Sequence, residues 1–305
     1  MRFKGLDLNL LVALETLLTE KNVTRAAQEL HLSQSATSCA LTRLRSHFGD
    51  ELLIPVGRRF ILSNRAEALL PVVRSILAQV DQQVIRDDRF DPATASQLVK
   101  IMVSDYVSLT VLQPGLAQIS RNAPRLRFEI VPVDTQPSLA IETHSVDILI
   151  APEPFASALH PKTLYFDDDY VCLVDARNTL CGDQLSLEQY LALPHGVVRF
   201  VGRGRTTYDD SIVEGLGYKK NISIIVPTHA TLPQCILGTN RIVTLQRRQA
   251  DLFASQHAVR YLVPPIDIPP IREIIQWHAL YEKDELLGWL RSQLLTSVNP
   301  SLWRA

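Results

Sequence analysis

The chain has 305 residues, of which 46% are hydrophobic and 21% are charged, and its formal net charge is −1. This length exceeds what one hydrophobic core usually serves, so we expect two or three compact units. No apolar run reaches the roughly 20 residues that a membrane-spanning helix needs, and the opening residues lack the pattern of a secretory signal. The four cysteines have no Cys-x-x-Cys spacing, which argues against a zinc site or a disulfide framework. We therefore expect a cytoplasmic protein.

The first three predicted helices have the order of a helix-turn-helix. Residues 7–21 carry leucines with the i, i+3, i+4, i+7 spacing of an amphipathic helix. A short helix follows over 24–30, and its alanines permit close packing of a neighbouring helix. Ser33 then suits the N-cap of a third helix, whose first polar side chains are short and lie near arginines. Such a helix suits base contacts in a DNA major groove, with phosphate contacts alongside.

A basic hairpin and a long helix are predicted next. Apolar triplets at 52–54 and 60–62 flank Pro55-Val56-Gly57-Arg58-Arg59, which predicts a β-hairpin wing with arginines at its tip. A helix over 64–87 has one sustained apolar seam, as is typical of a dimerisation helix. A small helical bundle with a solvated charged face would explain each helix singly. It would not explain the order of all five elements.

Four motifs in this region carry a resemblance to a known family. They are Asp7-Leu-Asn-Leu-Leu-Val-Ala-Leu, Asn22-Val-Thr-Arg-Ala-Ala, Leu32-Ser-Gln-Ser-Ala-Thr-Ser and Leu41-Thr-Arg-Leu-Arg. Together they resemble the LysR-type transcriptional regulators, and the resemblance spans essentially the whole chain. The opening residues and Phe90-Asp-Pro are similar to the nodulation regulators. Trp277-His278 and Trp289-Leu-Arg are similar to the regulators of aromatic-compound degradation.

The resemblance implies DNA contacts from the start of the third helix and from the wing. Together with the helix pattern it gives this expected DNA-binding set: Ser33, Gln34, Ser35, Ser38, Thr42, Arg43, Arg58 and Arg59. The family usually has Gln-Pro where this chain has Gln34-Ser35, and Pro55 replaces a common arginine. The helix tolerates serine at its first turn as it does proline. The resemblance therefore implies DNA binding without fixing the operator sequence.

From residue 97 onward, apolar strands and helices alternate. Strands at 98–103, 127–133 and 146–151, and again at 170–174, 197–200 and 222–226, predict parallel sheets covered by helices. Crossovers near 167–170 and 265–270 would join two halves into a clamshell. The resemblance implies the same, a two-lobed α/β effector domain like the periplasmic binding proteins, behind an all-α winged helix-turn-helix.

The expected domains follow from these elements. They are a winged helix-turn-helix over 1–63, a linker and dimerisation helix over 64–89, and an effector-binding domain over 90–305. Within the last, lobe I takes 97–167 and 266–305, and lobe II takes 168–265. We expect a homodimer or homotetramer that binds double-stranded promoter DNA with an interrupted inverted repeat, because a two-fold dimer matches a two-fold site.

The ligand is expected at the carboxyl ends of the strands, where open α/β sheets bind small molecules. Four such places give the expected effector contacts: Ser104, Asp105, Tyr106, Ala151, Pro152, Arg199, Phe200, Thr228 and His229. Tyr106 and Phe200 would stack on a flat ligand, while Arg199 and His229 would bind an acidic or phenolic group. The alternatives are a helix cap for Tyr106, an ion pair for Arg199 and a loop role for His229.

The branch resemblance implies an aromatic effector, but Thr228 stands where the aromatic-degradation regulators carry a histidine after Val-Pro. A ligand-independent regulator, or a solute-binding module with weak DNA binding, remains open. The Trp277-His278 pair invites a catalytic interpretation, but its predicted place in an apolar strand favours packing. The chain has no G-x-S-x-G, phosphate-loop or H-E-x-x-H motif. We expect a non-enzyme with no catalytic residue, cofactor or metal.

Overall fold

The computed structural model describes residues 6–57, 59–80, 90–133, 137–199 and 207–298. They divide into two compact units. One contains the described residues up to Val80 together with Leu139–Val146, and the other contains the remaining described residues from Phe90 onward. Among all of these residues, no helix combines the length and the apolar character needed to cross a bilayer.

The first unit is built from helices that pack around a leucine core, with a small hairpin beside them. Its elements are α1 (Leu10–Glu20), α2 (Val23–Glu29), α3 (Gln34–Phe48), β1 (Leu53–Val56), β2 (Arg59–Leu62) and α4 (Asn64–Val80). The core residues are Leu11, Leu14, Leu17, Leu18, Ala26, Leu41, Leu44, Leu52, Leu53, Ala66 and Val73. The predicted helix-turn-helix and its antiparallel wing are confirmed.

Two polar side chains fix where the helices of the motif begin. The Asn22 side chain accepts hydrogen bonds from the Thr24 and Arg25 amides at the start of α2. The Ser33 hydroxyl accepts the Ala36 amide at 3.1 Å, which confirms Ser33 as the N-cap of α3. The helical spacing of Ala36, Ala40, Leu41 and Leu44 in the sequence predicts that all four are buried, and for Ala36 this prediction is wrong. Ala36 is exposed, and the next residue faces the core instead.

The second unit contains two five-stranded sheets. Their strands are β3 (Leu98–Val103), β4 (Arg127–Pro132), β5 (Ile148–Pro152), β6 (Lys162–Asp168), β7 (Tyr170–Asp175), β8 (Pro194–Val198), β9 (Asn221–Val226), β10 (Ile242–Gln246), β11 (Val259–Leu262) and β12 (Ile271–Gln276). The first sheet has the order β4-β3-β5-β12-β6, and the second has the order β11-β7-β10-β8-β9. The two-lobed α/β architecture is thereby confirmed.

The expectation of purely parallel sheets is wrong, because both sheets are mixed. Strand β12 runs antiparallel to β5 and β6, and β7 runs antiparallel to β10 and β11. These are the strands at which the chain passes between the sheets: β6 leads directly into β7, and β12 returns to the first sheet. Such strands need no helical crossover within their own sheet, so they can enter it in the opposite direction.

The remaining helices follow in chain order. They are α5 (Asp105–Val107), which continues through a π-helical turn at Ser108–Leu112 into α6 (Gln113–Asn122), then α7 (Pro137–Glu142), α8 (Leu187–Ala192), α9 (Tyr208–Gly215), α10 (Arg247–Ala254) and α11 (Glu285–Ser297). The part of α7 from Leu139 onward belongs to the first unit. The sequence pattern also predicts a helix over 230–238, but the structure has only a short 3-10 helix at Leu232–Ile236, with a proline in its first turn.

Near the end of the chain, the sequence pattern predicts a strand over 274–281, and the structure departs from it. Strand β12 ends at Gln276, so Trp277 and His278 lie beyond it. The ring of Trp277 lies 3.9 Å from the Arg291 guanidinium. The His278 Nδ1 atom accepts the Leu280 amide at 3.1 Å and caps a 3-10 turn. Both side chains therefore have structural roles.

Candidate DNA-binding surface and effector cavity

The polar residues expected to contact DNA occupy the solvent side of α3. The exposed members are Ser33, Gln34, Ser35, Ser38, Thr42 and Arg43. The Ser33 and Ser35 hydroxyls lie 3.0 Å apart. The Thr42 hydroxyl donates to the Ser38 carbonyl at 3.0 Å, which ties a polar side chain to its own helix. This edge faces away from the core formed by Leu41 and Leu44.

The hairpin is held against α3 by Arg45. Its guanidinium donates to the carbonyls of Glu51 and Leu53, each at 2.8 Å, and pairs with the Glu51 carboxylate at 3.1 Å. Arg43 and Arg45 are the arginines near the predicted polar edge of this helix, and from the sequence alone both suit phosphate contacts. The structure shows that only Arg43 of these two is exposed to solvent, while Arg45 fixes the wing.

The start of α3 and the wing belong to one surface. Gln34, Ser38 and Arg59 line a single open groove, and Thr24 and Arg25 are among its other lining residues. Arg59 is exposed on β2. The other predicted wing contact, Arg58, lies outside the described residues. The described part of the wing thus presents one arginine beside the polar edge of α3.

A cavity of about 300 Å³ lies within the second unit, at the ends of strands from both sheets. Seven of the nine expected effector contacts line it: Ser104, Asp105, Tyr106, Ala151, Pro152, Thr228 and His229. The sequence interpretation missed other lining residues, among them Phe155, Tyr170, Tyr208, Gln246 and Glu273. The wall is thus rich in aromatic side chains.

The remaining two expected contacts are Arg199 and Phe200. Phe200 lies outside the described residues. Arg199 is not among the lining residues, and its guanidinium donates to the Asp210 carboxylate at 2.6 Å. Strand β8 ends at Val198, two residues earlier than predicted. The ion-pair alternative therefore describes Arg199 better than effector binding does.

One polar contact joins the two lobes beside the cavity. Asp105 follows β3, and His229 follows β9 in the other sheet. The Asp105 carboxylate lies 3.2 Å from the His229 Nδ1 atom and accepts the Ala230 amide at 2.6 Å. Burial opposes ionisation of Asp105 and would raise its pKa. The hydrogen bond and the electrostatic interaction with His229, together with the hydrogen bond from the Ala230 amide, outweigh burial, so the pKa of Asp105 is lowered.

The Tyr106 side chain is committed to a buried acid. Its hydroxyl donates to the Asp168 carboxylate, and both side chains are buried. Asp168 also accepts the Arg248 amide at 3.1 Å. Burial and the neighbouring carboxylate raise the pKa of Tyr106 well above its ordinary value. Tyr106 therefore stays a neutral donor, and its ring, not its hydroxyl, is available to a ligand.

A second acid, Glu273, lies on β12 at the cavity wall and is 1% exposed. Burial, together with the nearby Asp168 carboxylate, raises the pKa of Glu273 to about 8. The sequence held one signal for this residue, because it is the one acid of the segment Ile271–Gln276, beside the apolar pair Ile274-Ile275. The predicted strand began at Ile274, so the signal fell just outside it.

A buried charge cluster supports the wall at α9, directly after the lining residues Thr207 and Tyr208. The Lys220 ammonium lies 2.6 Å from the Asp210 carboxylate and 3.2 Å from that of Asp209. Burial favours the neutral amine, but the two carboxylates raise the pKa of Lys220 above its ordinary value. The cluster thus holds the start of α9 in place.

Comparison with known proteins gives a consistent result over nearly the whole chain. Residues 8–67 match the bacterial regulatory helix-turn-helix model of the lysR family, and residues 93–298 match the LysR substrate binding domain. Nodulation protein D 1 of Mesorhizobium japonicum is 38% identical over 295 residues, which covers 97% of this chain and 94% of that protein. Nodulation protein D 3 of Rhizobium meliloti is 38% identical over 298 residues, with coverages of 97% and 94%.

Solved structures agree in fold. Full-length OxyR from Pseudomonas aeruginosa, a point variant, has a TM-score of 0.75 at 17% identity, covering 95% of this chain and 94% of that one. CbnR, a LysR family transcriptional regulator, has a TM-score of 0.62 at 12% identity, covering 96% and 100%. At such identities the likeness is one of fold alone.

Proposed function

Because this chain belongs to the LysR family of transcriptional regulators, we propose that it binds promoter DNA through α3 and the wing and answers to a small aromatic effector in the cavity. The observation that carries the DNA-binding site is the shared groove of Gln34, Ser38 and Arg59. Short polar side chains at the start of an exposed helix can reach base edges, and an adjacent arginine can neutralise phosphate.

The residues of this surface divide into two roles. Gln34, Ser35 and Ser38 contact base edges from the first turns of α3, because these turns enter the major groove in helix-turn-helix proteins. Arg43 and Arg59 contact the phosphate backbone, and Arg58 joins them in the wing. Ser33 and Thr42 complete the polar edge. Base contacts set the operator sequence, whereas phosphate contacts set the position and most of the salt dependence.

We propose that α4 serves as the dimerisation helix; residues 81–89 of the linker predicted over 64–89 lie outside the described residues. Val72, Ile76 and Val80 are exposed on α4 at a spacing of four residues, which places three apolar side chains along one helix face. An apolar stripe of this kind suits a second copy of the helix. A dimer, or a tetramer built from two dimers, then reads an interrupted inverted repeat.

The cavity supports an aromatic effector. Tyr106, Phe155, Tyr170 and Tyr208 contribute ring surface to its wall, and the rings of Tyr170 and Tyr208 are stacked with centroids 6.3 Å apart. Flat ligands gain from such surfaces by stacking and by area burial. Because both lobes line the cavity, a ligand that binds the closed arrangement better than the open one would shift the regulator between two states.

We further propose that the cavity binds its ligand without chemical turnover and that the protein acts in the cytoplasm. Ser104, Asp105 and His229 are residue types of a hydrolase triad. However, the Ser104 hydroxyl accepts the Val107 amide at 3.2 Å and serves as the N-cap of α5. We therefore assign Ser104 to helix capping and Asp105 with His229 to the contact between lobes.

A gel shift with the DNA upstream of the protein's own gene tests the DNA-binding site. The wild-type chain is expected to retard this fragment, and Arg58→Ala/Arg59→Ala is expected to weaken the complex. Arg121→Ala, which removes an exposed arginine from the second unit, is the matched control and should bind like the wild type. Unchanged binding by a folded Arg58→Ala/Arg59→Ala variant would remove the wing from the mechanism.

Thermal shifts of the full chain with aromatic compounds test the effector site. A ligand present at a hundredfold excess over its dissociation constant stabilises the native state by roughly 2.7 kcal/mol. A binding compound should also change the gel shift. Stabilisation by aromatic compounds without any DNA affinity, at any salt concentration, would favour the solute-binding module instead.

A further inference from the structure

Two sequence motifs that neither the DNA-binding surface nor the cavity uses lie against each other. Phe90 opens the motif Phe90-Asp-Pro, and Trp289 opens Trp289-Leu-Arg on α11. The two rings are tilted, with centroids 5.5 Å apart. The Phe90 amide donates to the Glu285 carboxylate of α11 at 2.9 Å, across 195 residues of sequence. Because the chain enters the second unit at Phe90, these contacts anchor the start of that unit on α11.

Helix α11 in turn packs closely against α6. A Cβ atom added at Gly115 of α6 would lie only 2.6 Å from the Ser297 hydroxyl oxygen of α11, so α11 approaches the α6 backbone itself at this glycine. Leu290 and Leu294 of α11 are fully buried. Protein interiors packed in this way are hardly compressible and transmit strain. A shift of α6 would therefore move α11 with it.

Helix α6 belongs to a run of helical residues that begins at the cavity. The run continues without interruption from Asp105 through the π-helical turn to Asn122, a length of about 27 Å. Asp105 and Tyr106 line the cavity, and the Asp105 carboxylate contacts the His229 ring and the Ala230 amide of the other lobe. The first residue of the run is thus coupled to the position of the other lobe, while its second half packs on α11.

We infer that this series of contacts transmits the regulatory signal. Closure of the lobes on a ligand displaces Asp105, α5 and α6 move α11, and α11 passes the displacement to the linker through Phe90. The inference rests on the proposed function, because it takes the cavity as the effector site. We call Phe90, Glu285 and Trp289 the linker anchor, and we assign them as positioning residues. Since linkage between two sites is reciprocal, binding of operator DNA should also alter α5, α6 and α11.

Hydrogen exchange of the full chain, free and bound to DNA from upstream of its own gene, tests the inference without a ligand. In the wild type, saturating DNA should change amide exchange roughly fivefold or more in peptides from 105–122 and 285–297, as expected for typical coupling between sites. Phe90→Ser removes the ring that contacts Trp289. This variant should still bind the DNA and protect α3, but the changes in the second unit should be lost.

Further variants separate the linker anchor from general stability. Glu285→Ala changes an exposed residue and should weaken the DNA-induced change, so it decides the matter where Phe90→Ser does not fold. Phe90→Tyr keeps an aromatic ring, and Glu285→Gln keeps an oxygen that accepts the Phe90 amide, so both should retain the change. Tyr261→Leu removes a ring that contacts Arg247 and takes no part in the linker anchor. This matched control should behave as the wild type.

The outcomes separate this inference from the proposed function. The chain also passes between the units at Leu139–Val146. If Phe90→Ser and Glu285→Ala show the same DNA-induced change as the wild type, the linker anchor is not the route and the signal belongs to that segment. A wild type that binds the DNA without any change in 105–122 and 285–297 overturns the inference as well, and leaves DNA binding in place. Failure of the wild type to bind the DNA removes the proposed function, and the inference with it.

Discussion

The DNA-binding edge and the effector cavity use polar side chains in opposite ways. On α3, Gln34, Ser38 and Arg43 are exposed. At the cavity, Asp105 is bound to His229 and Tyr106 to Asp168, across 124 and 62 residues of sequence. Residues of the edge can be changed with little effect on the fold, whereas residues of the cavity carry stability and ligand binding together. Substitutions can test this difference directly.

The largest effect is expected beneath the cavity wall, at Lys220. Lys220→Met leaves Asp209 and Asp210 buried without the ammonium that now lies within 3.2 Å of both carboxylates. Removing one member of a buried charge cluster costs about 3–5 kcal/mol of unfolding free energy. Because Thr207 and Tyr208 line the cavity and directly precede these acids, binding of an aromatic compound should weaken as well. Urea unfolding followed by circular dichroism measures the loss.

The matched control is a charge pair at the surface. Arg247 and Asp251 lie 3.2 Å apart on α10, and both side chains are more than half exposed. Arg247→Ala is expected to change the unfolding free energy by less than about 0.5 kcal/mol. Equal stabilities of the Lys220→Met and Arg247→Ala variants would show that the buried cluster does not support the second unit.

A pH-dependent effect is expected at Glu273, whose pKa burial and Asp168 raise to about 8. In the unfolded chain this acid titrates near its ordinary value, roughly 4.3. Between about pH 5 and pH 8 the folded protein therefore holds the extra proton, and wild-type stability falls as the pH rises. Glu273→Gln has no such proton to lose, so its stability relative to the wild type should improve by up to about 1.4 kcal/mol per pH unit.

Urea unfolding of both proteins at pH 5, 6, 7 and 8 measures this difference. Asp168, Tyr106, Tyr170 and Arg248 also act on this part of the cavity, but they are present in both proteins, so their shared contributions largely cancel. A constant difference across the four pH values would mean that Glu273 is ionised in the folded state and would contradict its raised pKa.

The contrast between the regions also explains what could be predicted from the sequence. The apolar face of α1 and the N-cap at Ser33 depend on residues at most four positions apart. The local sequence pattern therefore suffices to predict both. Strand β6 was missed because its pairing partner, β12, is about 100 residues away. The Glu273 site combines β12 with Tyr106 and Asp168. No local pattern contains that combination, and only tertiary packing brings these residues together.

Arg199 is a second residue whose role the local sequence could not predict. Its position after an apolar run predicted a ligand contact at a strand end, and the local residues support that prediction. Its partner Asp210 comes eleven residues later, on α9. The residues next to an arginine do not show whether it binds a ligand in a cavity or pairs with a buried acid elsewhere in the chain. The sequence therefore located the carboxyl ends of the strands and seven of the residues that line the cavity, but it could not distinguish Arg199 from them.

At the DNA-binding edge, Gln34→Ala should leave stability unchanged and lower operator affinity by about 1–3 kcal/mol, with relaxed preference at one base pair per half-site. Arg59→Ala should weaken binding to all operator sequences alike. It should also reduce the slope of log affinity against log salt concentration by about 0.9 for each phosphate that the variant no longer neutralises. Fluorescence anisotropy on a panel of single-base operator variants, at several salt concentrations, separates the two. A uniform loss for Gln34→Ala would assign this residue to the backbone instead of a base.

The smallest effect is expected at Ser33, where the two kinds of role meet. Its hydroxyl caps α3, so Ser33→Ala should cost about 1 kcal/mol of stability in the first unit. Asparagine and aspartate both restore the cap, but only aspartate adds a negative charge at the proposed DNA face. Ser33→Asn should therefore regain stability and keep DNA affinity, whereas Ser33→Asp should regain stability and lose affinity, with a loss that salt reduces. If both variants bind DNA equally well, Ser33 lies away from the phosphates. The groove of Gln34, Ser38 and Arg59 would then contact DNA with its end that is distant from Ser33.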